Sequence, residues 1–427
     1  MAEEVTGEGT KFDLKPNDEL RFEVETKQTV VMEMTHGKGE VFGAELAKNK
    51  KYKFNSGAKV AVYTWHGCQI KISFPNLVGT TEVAYISKET PMLMYLNTHA
   101  ALEQMRLKAD EENMRGPRAI IVGPTDVGKS TLCRILCNYA ARLGRAPIFA
   151  DIDVGQGQTD IPGTIGALSV ERPSDVEEDY SQLSPLSFHF GHKTPQTNTA
   201  LYELLIQRLA EVINMRSEKS KRTNVSGVII NTCGWIRGAG YELIKNTAGA
   251  FEVDLVMVID QERLFNELKR DLPHFVHVVL LPKSGGVVER SQSSRGEARD
   301  AKIREYFYGI DNSLYPHNFE VKFTDVKIFK IGAPVLPESC LPLGMKAEDN
   351  KTKQVPVMPS MSLLHHVFSV SAANSPEDNV VETNVLGYVV ITAIDMEKQC
   401  FTVLAPSPRP LPKNILLMMD LQFMDIK

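Results

Sequence analysis

Three patterns in the amino-acid sequence predict a multidomain protein, in which a central α/β domain with a parallel sheet is flanked by N-terminal and C-terminal mainly β domains. Residues 1–100 contain short alternating or β-branched runs, separated by glycine-containing turns. The middle of the chain alternates apolar runs with helical patterns, which is typical of a parallel sheet covered on both faces. Towards the C-terminus the β patterns return. The simplest division places the domains at 1–100, 101–312 and 313–427.

The composition is that of an ordinary globular protein, and it excludes several classes of function. Of the 427 residues, 43% are hydrophobic and 24% are charged, and this length suggests roughly two to three domains. The net charge of −5 excludes binding of nucleic acid by bulk positive charge, so any nucleic acid is expected in a local groove. The acidic N-terminal segment does not resemble a signal peptide, and no apolar run approaches the ~20 residues needed to span a membrane. We therefore expect a soluble intracellular protein that has no membrane partner.

The cysteines do not predict a metal site. Cys133 and Cys137 lie four residues apart, at helical spacing, but no second Cys/His pair completes a zinc site. Small buried thiols in a reducing compartment are the expectation. The six cysteines are Cys68, Cys133, Cys137, Cys233, Cys340 and Cys400.

Local patterns place the individual elements. In the N-terminal domain, the runs at 20–25 and 59–64 favour strands of a small sandwich or barrel. Residues 100–115 predict a linking helix that ends before Gly116. In the central domain we predict strands at 118–122, 147–152, 227–231, 255–259 and 277–281, and helices that include 129–143 and 201–214. In the C-terminal domain we predict strands at 319–323 and 387–392 and a polar loop at 372–379.

A phosphate-binding loop lies between the first strand and the first helix of the central domain. Residues 123–131 have the sequence GPTDVGKST, which fits the pattern G-x-x-x-x-G-K-[ST]. Gly123 and Gly128 let the backbone wrap around a phosphate, Lys129 reaches the β- and γ-phosphates, and the Ser130 hydroxyl ligates Mg²⁺. The alternative is an ordinary strand-to-helix turn with a surface lysine, but the buried strand before the motif and the helix after it favour a P-loop domain. We therefore predict ATP or GTP binding by the loop that ends at Thr131.

Two carboxylates leave the next predicted strand at its C-terminal end, where ligands bind in open α/β sheets. Asp151 and Asp153 share one face while the chain is extended, so one can reach a reacting hydroxyl or the Mg²⁺ shell while the other braces the loop. The alternative is that both only satisfy a turn. Asp153-Val154-Gly155 has one residue too few for the D-x-x-G that a GTPase carries after such a strand, and residues 231–234 do not fit its N-K-x-D motif. The strand that ends at Asn231 also lacks the terminal Asp of a typical ATPase motor.

Two further segments are candidates for the site. Residues 283–299 combine the pair Gly285 and Gly286 with Arg290 and Arg295, and they predict either a closing lid that supplies cations or a solvated basic helix. Trp235 follows a core strand among glycines, where it could stack on a base or belong to the core.

Six segments together resemble the eukaryotic polyribonucleotide 5′-hydroxyl kinases, a family whose members are also subunits of the pre-mRNA cleavage and polyadenylation machinery and of the tRNA splicing endonuclease complex. They are ELRFE at 19–23, TWHG at 64–67, GPTDVGKST at 123–131, DIDVGQ at 151–156, NTCGW at 231–235 and KSGGVVER at 283–290. The resemblance extends from about Lys11 to Lys427. It implies an N-terminal β domain that closes over the adenine, a central P-loop domain and a C-terminal β domain.

The resemblance also implies roles for individual residues. Asp151 is similar to the family's general base and is expected near Mg²⁺ with Ser130. Trp235 and Gln156 are expected to contact RNA. Lys129, Arg290 and Arg295 are expected to stabilise the transferred phosphoryl group, and Arg295 is the residue whose register matches less closely. The residues expected to bind nucleotide are Glu19, Lys59, Gly123, Asp126, Val127, Gly128, Lys129, Ser130 and Thr131.

From the residues and the resemblance together, we predict an ATP- and Mg²⁺-dependent kinase that phosphorylates the 5′-hydroxyl end of RNA in tRNA splicing and pre-mRNA 3′-end processing. Expected partners are RNA 5′-hydroxyl ends, tRNA splicing endonuclease subunits and pre-mRNA cleavage factor subunits, in the nucleus. The alternative is an ATP-bound scaffold that holds partners in an RNA-processing complex without turnover.

Overall fold

The computed structural model describes residues 9–25, 28–73, 84–180, 185–333 and 350–424. These ranges form an N-terminal β-sandwich, a central α/β domain and a C-terminal β domain, so the predicted fold class is confirmed. Among the described residues, no helix is both long and apolar enough to cross a membrane.

The N-terminal domain is a sandwich of two antiparallel sheets. In β3, Val30, Met32 and Met34 alternate with more exposed residues and pack into the core between the sheets. The sheets have the orders β1-β8-β3-β6 and β5-β4-β7-β2-β9. The strands are β1 (Thr10–Leu14), β2 (Glu19–Glu23), β3 (Thr29–Gly37), β4 (Glu40–Val41), β5 (Ala44–Glu45), β6 (Lys51–Asn55), β7 (Lys59–Tyr63), β8 (Cys68–Ser73) and β9 (Ala84–Ser87).

The linking helix is longer than predicted. Helix α1 spans Met92–Glu111, so it begins eight residues before the predicted start at 100 and ends four before the predicted end at 115. Pro91 occupies the N-cap, where the missing N–H of proline costs no hydrogen bond. Tyr95, in the first turn, donates its hydroxyl to the carbonyl of Pro282 at 3.0 Å. This contact joins the start of the helix to the central domain.

The central sheet contains all five predicted strands, and these pair in parallel. Alternate residues of β10 contribute to different cores, Ile120 and Val122 to one and Ala119 and Ile121 to the other, because the strand is covered on both faces. The sheet order is β13-β12-β11-β14-β10-β15-β16. The strands are β10 (Arg118–Val122), β11 (Ile148–Asp151), β12 (Thr164–Ser169), β13 (Leu186–His189), β14 (Val228–Asn231), β15 (Leu255–Ile259) and β16 (His277–Leu281).

The sheet is mixed, whereas the sequence predicted a parallel one. Strands β12 and β13 add an antiparallel edge beyond β11. Their sequences, TIGALS and LSFH, are short and poor in β-branched residues, so they form strands because β11 provides an edge for β12 and β12 provides one for β13. The helices that follow the phosphate loop in this domain are α2 (Lys129–Arg142), α3 (Thr199–Glu218), α4 (Lys221–Ser226), α5 (Ala239–Ala250), α6 (Glu262–Asp271) and α7 (Gln292–Tyr308).

The C-terminal domain is built on one sheet of order β17-β22-β21-β20-β23-β18-β19. The predicted polar loop at 372–379 lies between β20 and β21. Ile303 and Phe307 of α7 share a core with Tyr388 and Leu421, so this domain packs directly on the central one. The strands are β17 (His317–Lys322), β18 (Lys327–Ile331), β19 (Gln354–Pro356), β20 (His366–Ser371), β21 (Val385–Asp395), β22 (Cys400–Ala405) and β23 (Ile415–Gln422).

The cysteines behave as small core residues. Cys68, Cys133, Cys137 and Cys400 are buried free thiols and Cys233 is partly buried, whereas Cys340 lies outside the described residues. Complete burial raises the pKa of Cys137 from 9.0 to about 12, which keeps this thiol protonated near neutral pH.

Candidate active site

The phosphate loop has the geometry that its sequence predicts. It begins after β10 and ends in the first turn of α2, and Gly123 and Gly128 have φ angles of 155° and 90°, where glycine is favoured. A Cβ on Gly123 would lie 2.9 Å from the Ile259 carbonyl oxygen. Gly128 caps α2 without a side-chain hydrogen bond, so the first N–H groups of the helix remain available to an anion.

Lys129 is buried at the start of α2, with 7% of its surface exposed. Its Nζ donates to the carbonyl oxygens of Gly123 at 3.0 Å and Pro124 at 2.6 Å. Burial lowers its pKa, while the negative charge of Asp153 opposes the shift. The ammonium therefore lies inside the loop and must exchange these carbonyls for phosphate oxygens when a nucleotide binds.

The carboxylate of Asp151 is enclosed by hydrogen bonds. Its Oδ1 accepts from the Asn231 side-chain amide at 2.9 Å and from the backbone N–H of Asp153 at 3.1 Å, and its Oδ2 accepts from the backbone N–H of Gln158 at 2.7 Å. Burial, followed by the charge of Asp153, raises the pKa of Asp151 from 3.8 to about 6.

Asp153 is the carboxylate that reaches the open space. It lines the cavity that the phosphate loop also lines, whereas Asp151 does not. Its Oδ1 accepts from the backbone N–H of Gly155 at 3.0 Å, and burial raises its pKa against the opposing effects of Lys129 and of this hydrogen bond. Asp151 therefore braces the loop and Asp153 faces the cavity, whereas the resemblance implied the catalytic role for Asp151. The identity of the base stays a prediction.

Asn231 connects Ser130 of the phosphate loop with Asp151 at the end of β11. No role was predicted for it from the sequence. It is fully buried, and its Oδ1 lies 3.5 Å from the Ser130 hydroxyl while its Nδ2 bonds Asp151. The signal was present in the sequence, because an asparagine ends β14 where a typical ATPase strand ends in Asp.

The predicted lid lies against the phosphate loop. Asp126, with φ of 56°, accepts the backbone N–H of Arg290 at 2.9 Å and the guanidinium of Arg295 at 2.5 Å. Burial opposes ionisation, yet these two partners hold the pKa of Asp126 below its ordinary value. The Arg290 guanidinium also lies 3.5 Å from Oε1 of Gln156. The segment is thus a loop at 282–291 that lies on the phosphate loop, followed by helix α7. Closure of this loop as a lid stays a prediction.

The glycine pair of the lid lies close to Arg21 of the N-terminal domain, a residue for which the sequence predicted no role. A Cβ on Gly286 would lie 2.9 Å from Cδ of Arg21, so a larger residue there would require the arginine side chain to move. Arg21 lines the cavity, and its Nε is 2.5 Å from Oε1 of Glu19. Glu19 itself is buried, accepts from Thr90 at 2.9 Å and does not line the cavity, whereas Arg21, which is bonded to it, does. The nucleotide contact expected from Glu19 stays a prediction.

The other predicted residues lie at the cavity. Lys59 lines it and forms a partly exposed ion pair with Glu23 at 3.4 Å. Gln156 and Trp235 also line it. Trp235 is partly buried, packs against the main core and fits closely on Gly240, where a Cβ would lie 2.6 Å from the indole. The two alternatives for Trp235 are therefore compatible, because one part of the ring packs and another borders the cavity.

The cavity has a volume of about 1000 Å³, at the upper end of ordinary ligand sites. It is lined by residues of the sandwich, the phosphate loop, the lid and two loops of the central domain. Its lining contains eight lysine and arginine residues against five acidic ones, although the whole chain has a net charge of −5. Basic residues thus outnumber acidic ones in this lining, which suits a local groove for nucleic acid, although that role stays a prediction. The basic residues are Arg21, Lys59, Lys129, Arg134, Lys193, Arg290, Arg295 and Arg299.

Comparison with known proteins gives consistent matches over almost the whole chain. Residues 13–109 match the model of the N-terminal beta-sandwich domain of polyadenylation factor, residues 123–309 the mRNA cleavage and polyadenylation factor CLP1 P-loop, and residues 314–425 the pre-mRNA cleavage complex II protein Clp1. The chain is similar to the polyribonucleotide 5′-hydroxyl-kinase Clp1 of Gallus gallus, with 62% identity over 98% of this chain and 97% of that protein. It is 60% identical to the protein of the same name in Homo sapiens, over the same shares of the two chains.

Two solved structures share the fold at 23% identity. One is the wild-type Clp1p-Pcf11p complex, with a TM-score of 0.83 and coverage of 98% of both chains. The other, described as an extended interface between Pcf11p and Clp1p and the structural basis for ATP loss in a point mutant, has a TM-score of 0.83 and covers 97% of this chain and 98% of that chain. At this level of identity, the similarity to these structures shows only that the chain shares their three-domain fold.

Proposed function

The chain belongs to the Clp1 family of polyribonucleotide 5′-hydroxyl kinases, and we propose that it transfers the γ-phosphoryl group of ATP to the 5′-hydroxyl end of RNA. One observation carries the assignment to this cavity: Lys129 of the phosphate loop and Asp153 border the same positively lined space. A phosphoryl donor and a hydroxyl acceptor can therefore meet between a cation and a base.

On the donor side, the backbone N–H groups at the start of α2 and the ammonium of Lys129 hold the phosphates. The Ser130 hydroxyl, which lines the cavity, would ligate Mg²⁺. Asp151, whose carboxylate is enclosed by protein hydrogen bonds, would act on the ion only through the Asn231 side chain that both residues contact. When bound there, Mg²⁺ would neutralise charge on the β- and γ-phosphates. Arg290, whose guanidinium is partly exposed, supplies a second cation to the transferred group.

On the acceptor side, Asp153 orients the 5′-hydroxyl and accepts its proton. This assignment replaces the expectation for Asp151, because a base must reach the proton that it abstracts and all three hydrogen bonds to Asp151 come from the protein. Gln156 and Trp235, which border the same space, contact the RNA. A tryptophan face can stack on any base, so this contact requires no particular sequence.

The kinase is distinguished from a non-catalytic ATP-bound scaffold by direct assay. Purified protein is incubated with γ-labelled ATP, Mg²⁺ and an oligoribonucleotide with a 5′-hydroxyl end, and with the same oligonucleotide already phosphorylated at that end. We expect label on the first oligonucleotide alone, and none with Lys129→Ala, because that variant lacks the cation of the phosphate loop. ATP binding by the wild type without transfer to RNA would favour the scaffold.

We also propose partners and a compartment. The family includes subunits of the cleavage and polyadenylation machinery, and the two solved structures are of complexes with Pcf11p. A cleavage factor subunit of that kind is the first partner to test, followed by tRNA splicing endonuclease subunits, by co-purification from a nuclear extract. The nucleus is where these RNA substrates are processed.

A further inference from the structure

Two segments line the side of the cavity where the RNA 5′-end is proposed to bind. We call residues 153–158 and 193–196 the acceptor segments: the first carries Asp153 and Gln156, which are proposed to contact the acceptor, and Lys193 of the second lines the same cavity. Neither segment belongs to a helix or strand of the central sheet that could fix it along its whole length. Their positions must therefore be set by contacts with other parts of the chain.

The first acceptor segment is fixed through Asp160, at the end of its loop. Oδ2 of Asp160 accepts from the hydroxyl of Tyr388, on β21 of the C-terminal domain, and from the hydroxyl of Ser187, each at 2.5 Å. Tyr388 and Ser187 are both 2% exposed, so both donors are buried. Two residues earlier in the loop, the backbone N–H of Gln158 binds the carboxylate of Asp151. A bond from the C-terminal domain thus lies two residues from a bond that holds Asp151 in place.

The second acceptor segment is fixed through His192, which immediately precedes Lys193. The buried His192 ring forms a short hydrogen bond with Oδ2 of Asp420, on β23, and Lys330 lies 3.2 Å from the other oxygen of that carboxylate. A backbone hydrogen bond joins β23 to the same segment, because the N–H of Asp420 donates to the carbonyl of Gly191 at 2.8 Å.

A run of backbone hydrogen bonds joins the two connections. The N–H of Gly191 donates to the carbonyl of Gly163 at 2.8 Å, and the N–H of Gly163 donates to the carbonyl of Val154 at 2.8 Å. Strand β23 packs on the same place, since a Cβ on Gly163 would lie 2.9 Å from Leu421. Both acceptor segments therefore share one anchor in the C-terminal domain.

We propose that the C-terminal domain is a positioning part of the kinase site: Tyr388 through Asp160, and Asp420 through His192, hold the acceptor segments in place for the RNA 5′-end. The inference rests on the proposed RNA kinase function and adds a role for residues far from the phosphate loop. The phosphate loop makes neither of these contacts, so ATP binding is independent of them.

The test is steady-state kinetics of Tyr388→Phe, with ATP and a 5′-hydroxyl oligoribonucleotide varied in turn. The matched control is Tyr306→Phe, because the Tyr306 hydroxyl accepts the backbone N–H of Tyr388 at 3.0 Å in the same interface without touching Asp160. We expect Tyr388→Phe to lower kcat/KM for the oligonucleotide about tenfold, as for loss of one hydrogen bond to a charged group. Its Kd for ATP and the kinetics of Tyr306→Phe should stay within about twofold of the wild type.

A double variant tests whether Tyr388 acts through Asp160. If it does, Asp160→Asn combined with Tyr388→Phe loses no more activity than Asp160→Asn alone. Equal losses in Tyr388→Phe and Tyr306→Phe, or a lower melting temperature with unchanged kcat/KM, would overturn the inference and leave a stabilising contact. A wild-type protein that transfers no phosphate to RNA would overturn the proposed function as well, so the two failures are distinguishable.

The second connection has its own pair of variants. Asp420→Asn weakens the bond to His192, and Lys330→Gln removes only the partly exposed partner of the same carboxylate. We expect an increased KM for the oligonucleotide in Asp420→Asn and not in Lys330→Gln. The same KM in all three proteins would remove Asp420 from the proposal.

Discussion

The donor and acceptor sides of the cavity are built in different ways. On the donor side, nine consecutive residues, 123–131, form the phosphate loop. The lid that covers it is also one continuous segment, which directly follows β16. On the acceptor side, short loops depend on hydrogen bonds between Asp160 and Tyr388 and between His192 and Asp420, and each pair is separated by 228 positions in the sequence. The donor side is thus a local motif, whereas the acceptor side results from the packing of two domains.

Because the two sides are built differently, mutations can separate effects on phosphoryl transfer from effects on the placement of the RNA. Substitutions in the phosphate loop or lid should affect the phosphoryl group itself, and hence kcat. Substitutions around the acceptor segments should affect how the hydroxyl and the RNA are placed, with ATP binding preserved. Three predictions test the division, in order of decreasing expected effect.

The largest effect is expected at Arg290. If its guanidinium stabilises charge only in the transition state, Arg290→Ala should lower kcat by up to about 10³–10⁵-fold, as for other arginines supplied to P-loop enzymes, with little change in KM for ATP. Arg295→Ala should cost less, because the Arg295 guanidinium is already paired with Asp126 at 2.5 Å. Arg263→Ala, on the exposed face of α6, is the control. A raised KM with unchanged kcat in Arg290→Ala would make the lid a ground-state binding surface.

An intermediate effect is expected from the two carboxylates. Asp153→Asn should reduce kcat by about 10²–10⁴-fold, the usual contribution of a general base, with ATP affinity retained. The reaction should require ionised Asp153, whose pKa burial raises above 3.8, so the rate should be present at higher pH and fall as pH decreases through the raised pKa. Because Asp151 titrates near 6 beside it, the measured values belong to the pair.

The contrast between the two variants decides the assignment. Asp151→Asn should perturb the loop and Mg²⁺ dependence while retaining a pH-dependent rate, whereas the residual rate of Asp153→Asn should lose that dependence. A fully active Asp153→Asn together with an inactive Asp151→Asn would restore the roles first predicted from the sequence.

The fold could be predicted largely from the sequence, because it depends on local periodicity. The strands Arg118–Val122, Leu255–Ile259 and His277–Leu281 agree with the predicted bounds residue for residue, since each is an apolar run bounded by polar residues or turns. The antiparallel strands β12 and β13 were missed because their pairing, β12 with β11 and β13 with β12, makes them strands, and not their composition.

The site was predicted only in part, for the same reason. The phosphate loop has a sequence pattern, and Lys129, Ser130 and Asp126 lie at the cavity as predicted. Arg21 was missed because an arginine in an alternating strand is ordinarily solvated, and only the fold brings it to Gly286. The choice between Asp151 and Asp153 could not be made from their spacing, because it depends on which carboxylate Asn231 encloses.

The smallest of the three effects is expected at Trp235, where the donor and acceptor sides of the cavity meet. Its indole packs on the core through Gly240 and also borders the cavity. If one RNA base stacks on the indole, Trp235→Ala should weaken RNA binding by about 1–3 kcal/mol, measured by titration of a fluorescent oligoribonucleotide, while Kd for ATP is unchanged. Trp235→Phe keeps an aromatic face and should recover most of the affinity, which separates stacking from simple loss of volume. If Trp235→Ala instead lowers the melting temperature and weakens ATP and RNA binding together, the residue serves the core, and the RNA must be held by the polar and charged groups of the acceptor segments alone.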